Sequence, residues 1–178
     1  GNVGLLGLTN NIDKRANANR ELGVLDGMVQ KKEADALKEQ QAEVAEQQYY
    51  EKIRLEADKL LEGDRIAINE KAKSIQTEIK RKIKLFGGSR TKFMENGGLA
   101  MIGSYSSQVL NSDELGTYRQ NQENLTKIIA LKKEGKGHLL TPKDQASLEN
   151  YNRDGRGTIS YSGVMSEIEM PSKQAFQF

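Results

Sequence analysis

The stretch "RIAINEKAKSIQTEIKRKIKLF", Arg65 to Phe86, decides the fold. Within it Ile68, Ala72, Ile75, Ile79, Ile83 and Phe86 follow one another at steps of four, three, four, four and three. That spacing keeps them on one side of an α-helix of 3.6 residues per turn. The stripe is narrow, which suits packing against one other helix. Ile68, Ile75, Ile79, Ile83 and Phe86 are therefore expected to pack on a helix, one from a neighbouring subunit if the chain cannot fold back.

Upstream the pattern is helical but polar. Residues 10–86 contain no proline and are dense in Glu, Gln, Lys, Arg, Ala and Leu, the better helix formers. Its middle, "KKEADALKEQQAEVAEQQ", offers only Leu37 and Val44 as sizeable apolar residues. Such a helix is expected to be solvated on most of its circumference. As one straight element the region would measure about 100 Å. "EGD", Glu62 to Asp64, is its weak point, because Gly63 can end one helix and Asp64 start another. A kink at 62–64 is expected rather than a reversal. Before the helix, residues 1–9 open with "GNVGLLGL", an apolar segment spaced by glycines.

Downstream the elements shorten. Gly87-Gly88 stops the helix, and residues 87–111 form a Gly-rich, small-residue segment with a short helix expected from about Leu99 to Leu110. Residues 112–178 form a helical C-terminal region. Ser112 caps a helix over Asp113 to Glu134 with Gly135 just past its end. Thr141 caps another, with Pro142 at its first position. The tail "MPSKQAFQF" has no pattern and is expected to be extended. The fold class is all-α and elongated, a long N-terminal helix followed by shorter ones.

Composition bounds the function. The chain has 178 residues, 36% of them hydrophobic, and a mean hydropathy of -0.70. It is therefore expected to bury little against itself. The net charge is +2, so no global field demands a nucleic acid or membrane partner. With no cysteine and one histidine, His138, thiolate chemistry is excluded and most metal and proton-relay sites are disfavoured. No apolar run reaches the ~20 residues that span a bilayer, and no basic-then-apolar leader pattern is present. No cofactor is expected.

"NRDGRGTISYSG", Asn152 to Gly163, resembles a calcium loop over these twelve residues. Gly157 and Ile159 fill the glycine and hydrophobic slots, and Asn152, Asp154 and Thr158 offer oxygens. Arg156 puts a cation in the fifth slot, and Gly163 removes the bidentate carboxylate of the twelfth. The loop is degenerate and no metal is expected. Asp154-Gly155, between "ENYN" and "TISYS", signals a hairpin instead.

"KRKIKLFGGSRTK" carries six basic residues, Lys80, Arg81, Lys82, Lys84, Arg90 and Lys92, and no acidic one. The first four oppose the negative end of the helix dipole. Arg90 and Lys92 lie beyond the glycines, so the set is a candidate contact for a polyanion, either DNA or an acidic protein surface. Asp144, Glu149 and Asp154 form a carboxylate cluster of the sort that caps and solvated faces produce, and catalysis is not expected of it. "GGLAMIGSYSSQVL", Gly97 to Leu110, has the small residues that let helices approach closely, and is expected to pack between neighbouring subunits.

The "GLLGL" run, the following "NNIDKRANANREL", the long Gln/Ala/Glu/Lys helix and the small-residue stretch together cover about residues 1–110. In that order they resemble phage proteins packaged in the virion and ejected with the genome: pilot and internal proteins, and the cargo proteins of crAss-like tailed phages. The resemblance implies a non-enzymatic structural component of the virion interior, in or near the portal and tail channel, reaching the host cell on ejection. It implies portal and tail subunits and copies of itself as partners, with DNA at Lys80–Lys92 and a transient membrane contact as further ones. Two other readings are a cytoplasmic coiled-coil scaffold or adaptor and a degenerate EF-hand regulatory module.

Overall fold

A computed structural model describes the backbone of residues 2–164 and the side chains of residues 15–164. The expected extended tail, residues 165–178, lies outside the described residues. The fold is all-α. Among the described residues the only β feature is an isolated antiparallel bridge between Leu140 and Val164.

Helix α1 runs from Asn2 to Ala57. The glycine-spaced opening is thus continuous with it rather than a segment of its own. At 1.5 Å per residue α1 is about 84 Å long. It ends in a turn at 58–61, where the Leu60 amide donates to the Ala57 carbonyl (3.0 Å) and the Leu60 side chain is buried. The chain then reverses. Helix α2, Glu62–Lys84, returns along α1, so that Ile68 packs with Ile53 and Ala57, and Ile79 and Ile83 with Tyr49 and Tyr50. Glu62 and Asp64 in its first turn and Arg81, Lys82 and Lys84 in its last complement the helix dipole.

Gly63 is therefore neither hinge nor kink. A Cβ on it would lie 2.1 Å from the Gly155 carbonyl oxygen, so its bare Cα lets the start of α2 press on the end of the last helix. The stripe meets its partner helices within one chain. Ile68, Ile79 and Ile83 are buried, and Ile75 and Phe86 are half-buried at the edge of the same packing.

The chain turns through Gly87 and Gly88, both with positive φ. Helix α3, Arg90–Phe93, is short, and the Ser89 hydroxyl caps it by accepting from the Lys92 amide (3.2 Å). A wide turn over Met94–Gly98 follows, kinked at Asn96 and Gly97. It leads into α4, Leu99–Leu110. A Cβ at Gly98 would lie 2.4 Å from the Phe93 carbonyl oxygen, so only glycine fits this tight exchange. The third helix of the bundle is α4. Ile102, Ser106 and Val109 of its small-residue face are buried against α1 and α2 of the same chain, not between neighbouring subunits.

Helix α5, Asp113–Lys133, carries Leu115 into the bundle and then runs on past its end. Ser112 caps it, accepting from the Leu115 amide (3.1 Å). A 3-10 turn at Gly137–Leu139 leads into α6, Pro142–Asp154, capped by Thr141. Ile128, Leu131, Leu140, Leu148, Tyr151 and Ile159 make a third cluster there. Each fully buried Ile or Leu stabilises the fold by about 1.5–3 kcal/mol. The chain thus builds a core of its own in three parts, where its composition suggested little self-burial.

Candidate interaction surface

Two halves of α1 differ sharply. From residue 39 onward the inward positions Glu39, Ala42, Glu46, Tyr49, Ile53 and Ala57 recur at steps of three and four, and all are buried or half-buried. Residues 15–38 are exposed on every side. Some 24 residues, about 36 Å of helix, therefore project beyond the bundle.

A polar clamp sets the point of departure. The Glu39 carboxylate accepts from the Ser89 hydroxyl (2.6 Å) and from the backbone amides of Arg90 (3.1 Å) and Thr91 (3.0 Å). It thereby caps the start of α3 from another helix. The Ser89 hydrogen bond above all, helped by the Thr91 and Arg90 groups and opposed by burial, lowers its pKa to about 2. About two turns along, Glu46 is fully buried. It accepts from Arg90 Nε (2.7 Å) on one oxygen and from the Tyr50 hydroxyl (2.7 Å) on the other. Burial and the adjoining Glu46 carboxylate push the Tyr50 phenol far above its ordinary range. The polar middle of α1 is thus anchored through its carboxylates and solvated on its remaining sides.

This clamp bears on the basic stretch. Arg90 is turned inward onto Glu46 and is not part of an open polyanion surface, which corrects the expectation for that residue. Arg81 bonds Glu78 (2.6 and 3.1 Å), and Lys82 lies 3.9 Å from the same carboxylate. Lys80, Lys84 and Lys92 are exposed, near the end of the bundle from which α1 departs.

Beyond the clamp, Leu22, Val24, Leu25, Met28 and Val29 are each more than half exposed. At 100° per residue they fall within an arc of about 160°, a continuous apolar face in open solvent. Single exposed leucines are ordinary, but a contiguous patch marks an interaction site. Gly23 and Gly27 sit in the same turns, and a Cβ on either would meet nothing within 4 Å. Each weakens a helix interior by about 1 kcal/mol relative to alanine. Among the described residues no neighbour compensates for them.

The degenerate loop forms no ion cage. Asn152 and Asp154 belong to α6, and Asp154 bonds Arg153 (3.0 Å) at the surface. Arg156 and Thr158 are exposed, and Gly163 has a positive φ of 101°. Among the described residues no cluster of His, Cys, Asp or Glu could hold a metal. The hairpin expected at Asp154-Gly155 does not form either, because helix extends through "ENYN" and Gly155 caps it in the left-handed conformation.

Polar side chains of α5 and α6 pin the extended segment after it. Asn121 accepts from the Ile159 amide (2.8 Å) and donates to the Gly157 carbonyl (2.9 Å) and Asp64 (3.1 Å). Asn124 donates to the Ile159 carbonyl (2.9 Å). Asp144 accepts from Ser160 (2.7 Å) and from the amide and hydroxyl of Ser162 (2.6 and 3.0 Å). Its burial opposes ionisation, but these hydrogen bonds outweigh that and lower its pKa. Of the three carboxylates in that cluster Asp144 is thus a structural strut, Glu149 is exposed and Asp154 faces Arg153. His138 is exposed as well. No helix of the described residues is long and apolar enough to cross a membrane. No known family model, curated protein or solved structure matches the chain.

Proposed function

We propose that this chain is a structural, non-enzymatic component of a tailed-phage virion, lodged in or near the portal or tail channel and ejected with the genome. The observation that carries the proposal is the projecting half of α1, helical and apolar on one face, which no described residue of its own chain covers. An assembly subunit needs such a surface. The resemblance of residues 1–110 to ejection and cargo proteins supplies the setting, and a slim projecting helix suits a narrow channel. Lys80, Lys84 and Lys92 then provide the contact with DNA or an acidic channel wall.

Mass spectrometry of purified particles tests the proposal. The chain should be found in intact virions and be depleted from particles that have released their genome. Its absence from virions, with the protein recovered only from the soluble fraction of infected cells, would overturn the proposal in favour of a cytoplasmic scaffold.

A further inference from the structure

We propose that Asp64 is a proton-operated latch between the helical bundle and the C-terminal helices, holding them together more firmly once its carboxyl has taken up a proton. The latch goes beyond the assembly role proposed above and does not depend on it. The two parts meet where α2 begins. Gly63 lies against the Gly155 carbonyl, and the Asp64 side chain accepts from Asn121 Nδ2 (3.1 Å). The same Asn121 side chain holds the Gly157 carbonyl (2.9 Å) and the Ile159 amide (2.8 Å). Asp64 therefore ends a hydrogen-bond chain that reaches from the bundle, through α5, to the extended segment after α6. Asp64 is 2% exposed and Asn121 is fully buried. Among the described residues no Lys or Arg pairs with this carboxylate.

A buried carboxylate without a cation is costly to keep ionised. Burial above all raises the Asp64 pKa, and the Asn121 hydrogen bond only partly offsets it. The surrounding groups supply no competing titration. On α2 it is flanked by Glu62, which is exposed, and Arg65, which is half-buried. Helix α5 contributes Asn121 and Tyr118, with the Lys71–Glu114 ion pair adjoining Tyr118. Helix α6 contributes Tyr151. Burial and the Asp64 carboxylate push the Tyr151 phenol up to about 12, and burial raises Tyr118 as well, so both stay neutral where Asp64 titrates. The Tyr151 hydroxyl is buried and has no partner in hydrogen-bonding geometry among the described residues. Once protonated, Asp64 keeps an acceptor oxygen for Asn121 and gains an O–H that the Tyr151 oxygen can accept. Because the folded value is raised, the contribution of Asp64 is complete below the unfolded value near 4 and is lost as pH rises through the folded value. Glu39 and Asp144, with lowered values, act in the opposite sense and below about pH 4.

Carboxyl-carbon NMR of the full chain should place the titration of Asp64 above the ordinary value of about 3.9. Hydrogen exchange then reads the latch itself. Corrected for intrinsic rates, protection of the Ile159 amide should rise as pH falls from about 7 to about 4, by up to about tenfold for each unit by which Asp64 is raised. Asp64→Asn keeps the acceptor for Asn121 and cannot ionise. At about pH 7 it should protect Ile159 more than the wild type does, and the two proteins should converge towards about pH 4. Glu62→Gln, at the exposed neighbouring position, should leave the pH dependence of the wild type unchanged. An Asp64 carboxyl that titrates at or below its ordinary value would overturn the latch. So would an Asp64→Asn protein whose Ile159 amide is less protected than the wild type's at about pH 7.

Discussion

Arg90 and Glu46 allow the clamp on α1 to be tested by number. Arg90→Met removes the guanidinium but keeps much of its apolar stem. It leaves Glu46, at 0% exposure, with Tyr50 as its remaining hydrogen-bond partner. Breaking a fully buried pair costs about 3–5 kcal/mol. The Arg90 side chain is 28% exposed, so water can replace part of the lost interaction, and about 2–3 kcal/mol is expected. Glu46→Gln retains an acceptor for Arg90 and should cost less, about 1–2 kcal/mol. In the double variant the two losses should not add, giving a coupling of about 1.5–2.5 kcal/mol. Urea unfolding followed by circular dichroism at 222 nm reads all four proteins. Arg81→Met is the control, since its partner Glu78 lies at the surface, and it should leave the midpoint where it was. An Arg90→Met protein within about 0.5 kcal/mol of the wild type would refute the clamp as the anchor of α1.

Three further outcomes follow from the geometry. Gly63→Ala should destabilise the fold by about 2 kcal/mol or more, because its Cβ meets a backbone oxygen that cannot swing aside. Gly116→Ala, in α5 with open space around its Cα, should stabilise it by about 0.5–1 kcal/mol, and thermal unfolding separates the two. Glu39 and Asp144 both have depressed folded-state pKa values. Their contribution is complete above the unfolded carboxylate value near 4 and is lost as pH falls through the folded values, about 2 for Glu39, so Tm should drop below about pH 4. Glu39→Gln should flatten that drop. Finally, calcium at about 1 mM should give no titration heat and no Tm shift. A saturable site abolished by Asp154→Ala would contradict that expectation.

Local chemistry made much of this fold legible. Ser112 and Thr141 cap the helices they were expected to cap, and Leu99–Leu110 is helical as its composition suggested. The stripe from Ile68 to Phe86 lies on the side of α2 that packs its neighbours. The reversal at 58–61 was not legible. "DKLL" contains neither glycine nor proline, and the neighbouring Gly63 drew attention while serving close packing instead. The anchoring role of Glu39, Glu46, Asn121, Asn124 and Asp144 was hidden for another reason. Polar residues on a helix read as solvated until a partner distant in sequence satisfies them. One signal was present: Glu39, Ala42, Glu46, Tyr49, Ile53 and Ala57 keep a three-four rhythm if carboxylates are admitted as inward positions. The exposed face at Leu22–Val29 is interrupted along the sequence by Gly23, Asp26 and Gly27, which break up its apolar run.

Hydrogen exchange along α1 tests the division of this helix most directly. In dilute solution amides at 39–57 should be protected by the bundle, while those at 15–38 exchange quickly through fraying. Slow exchange at 15–38, or exchange at 39–57 as fast as at 15–38, would contradict the account.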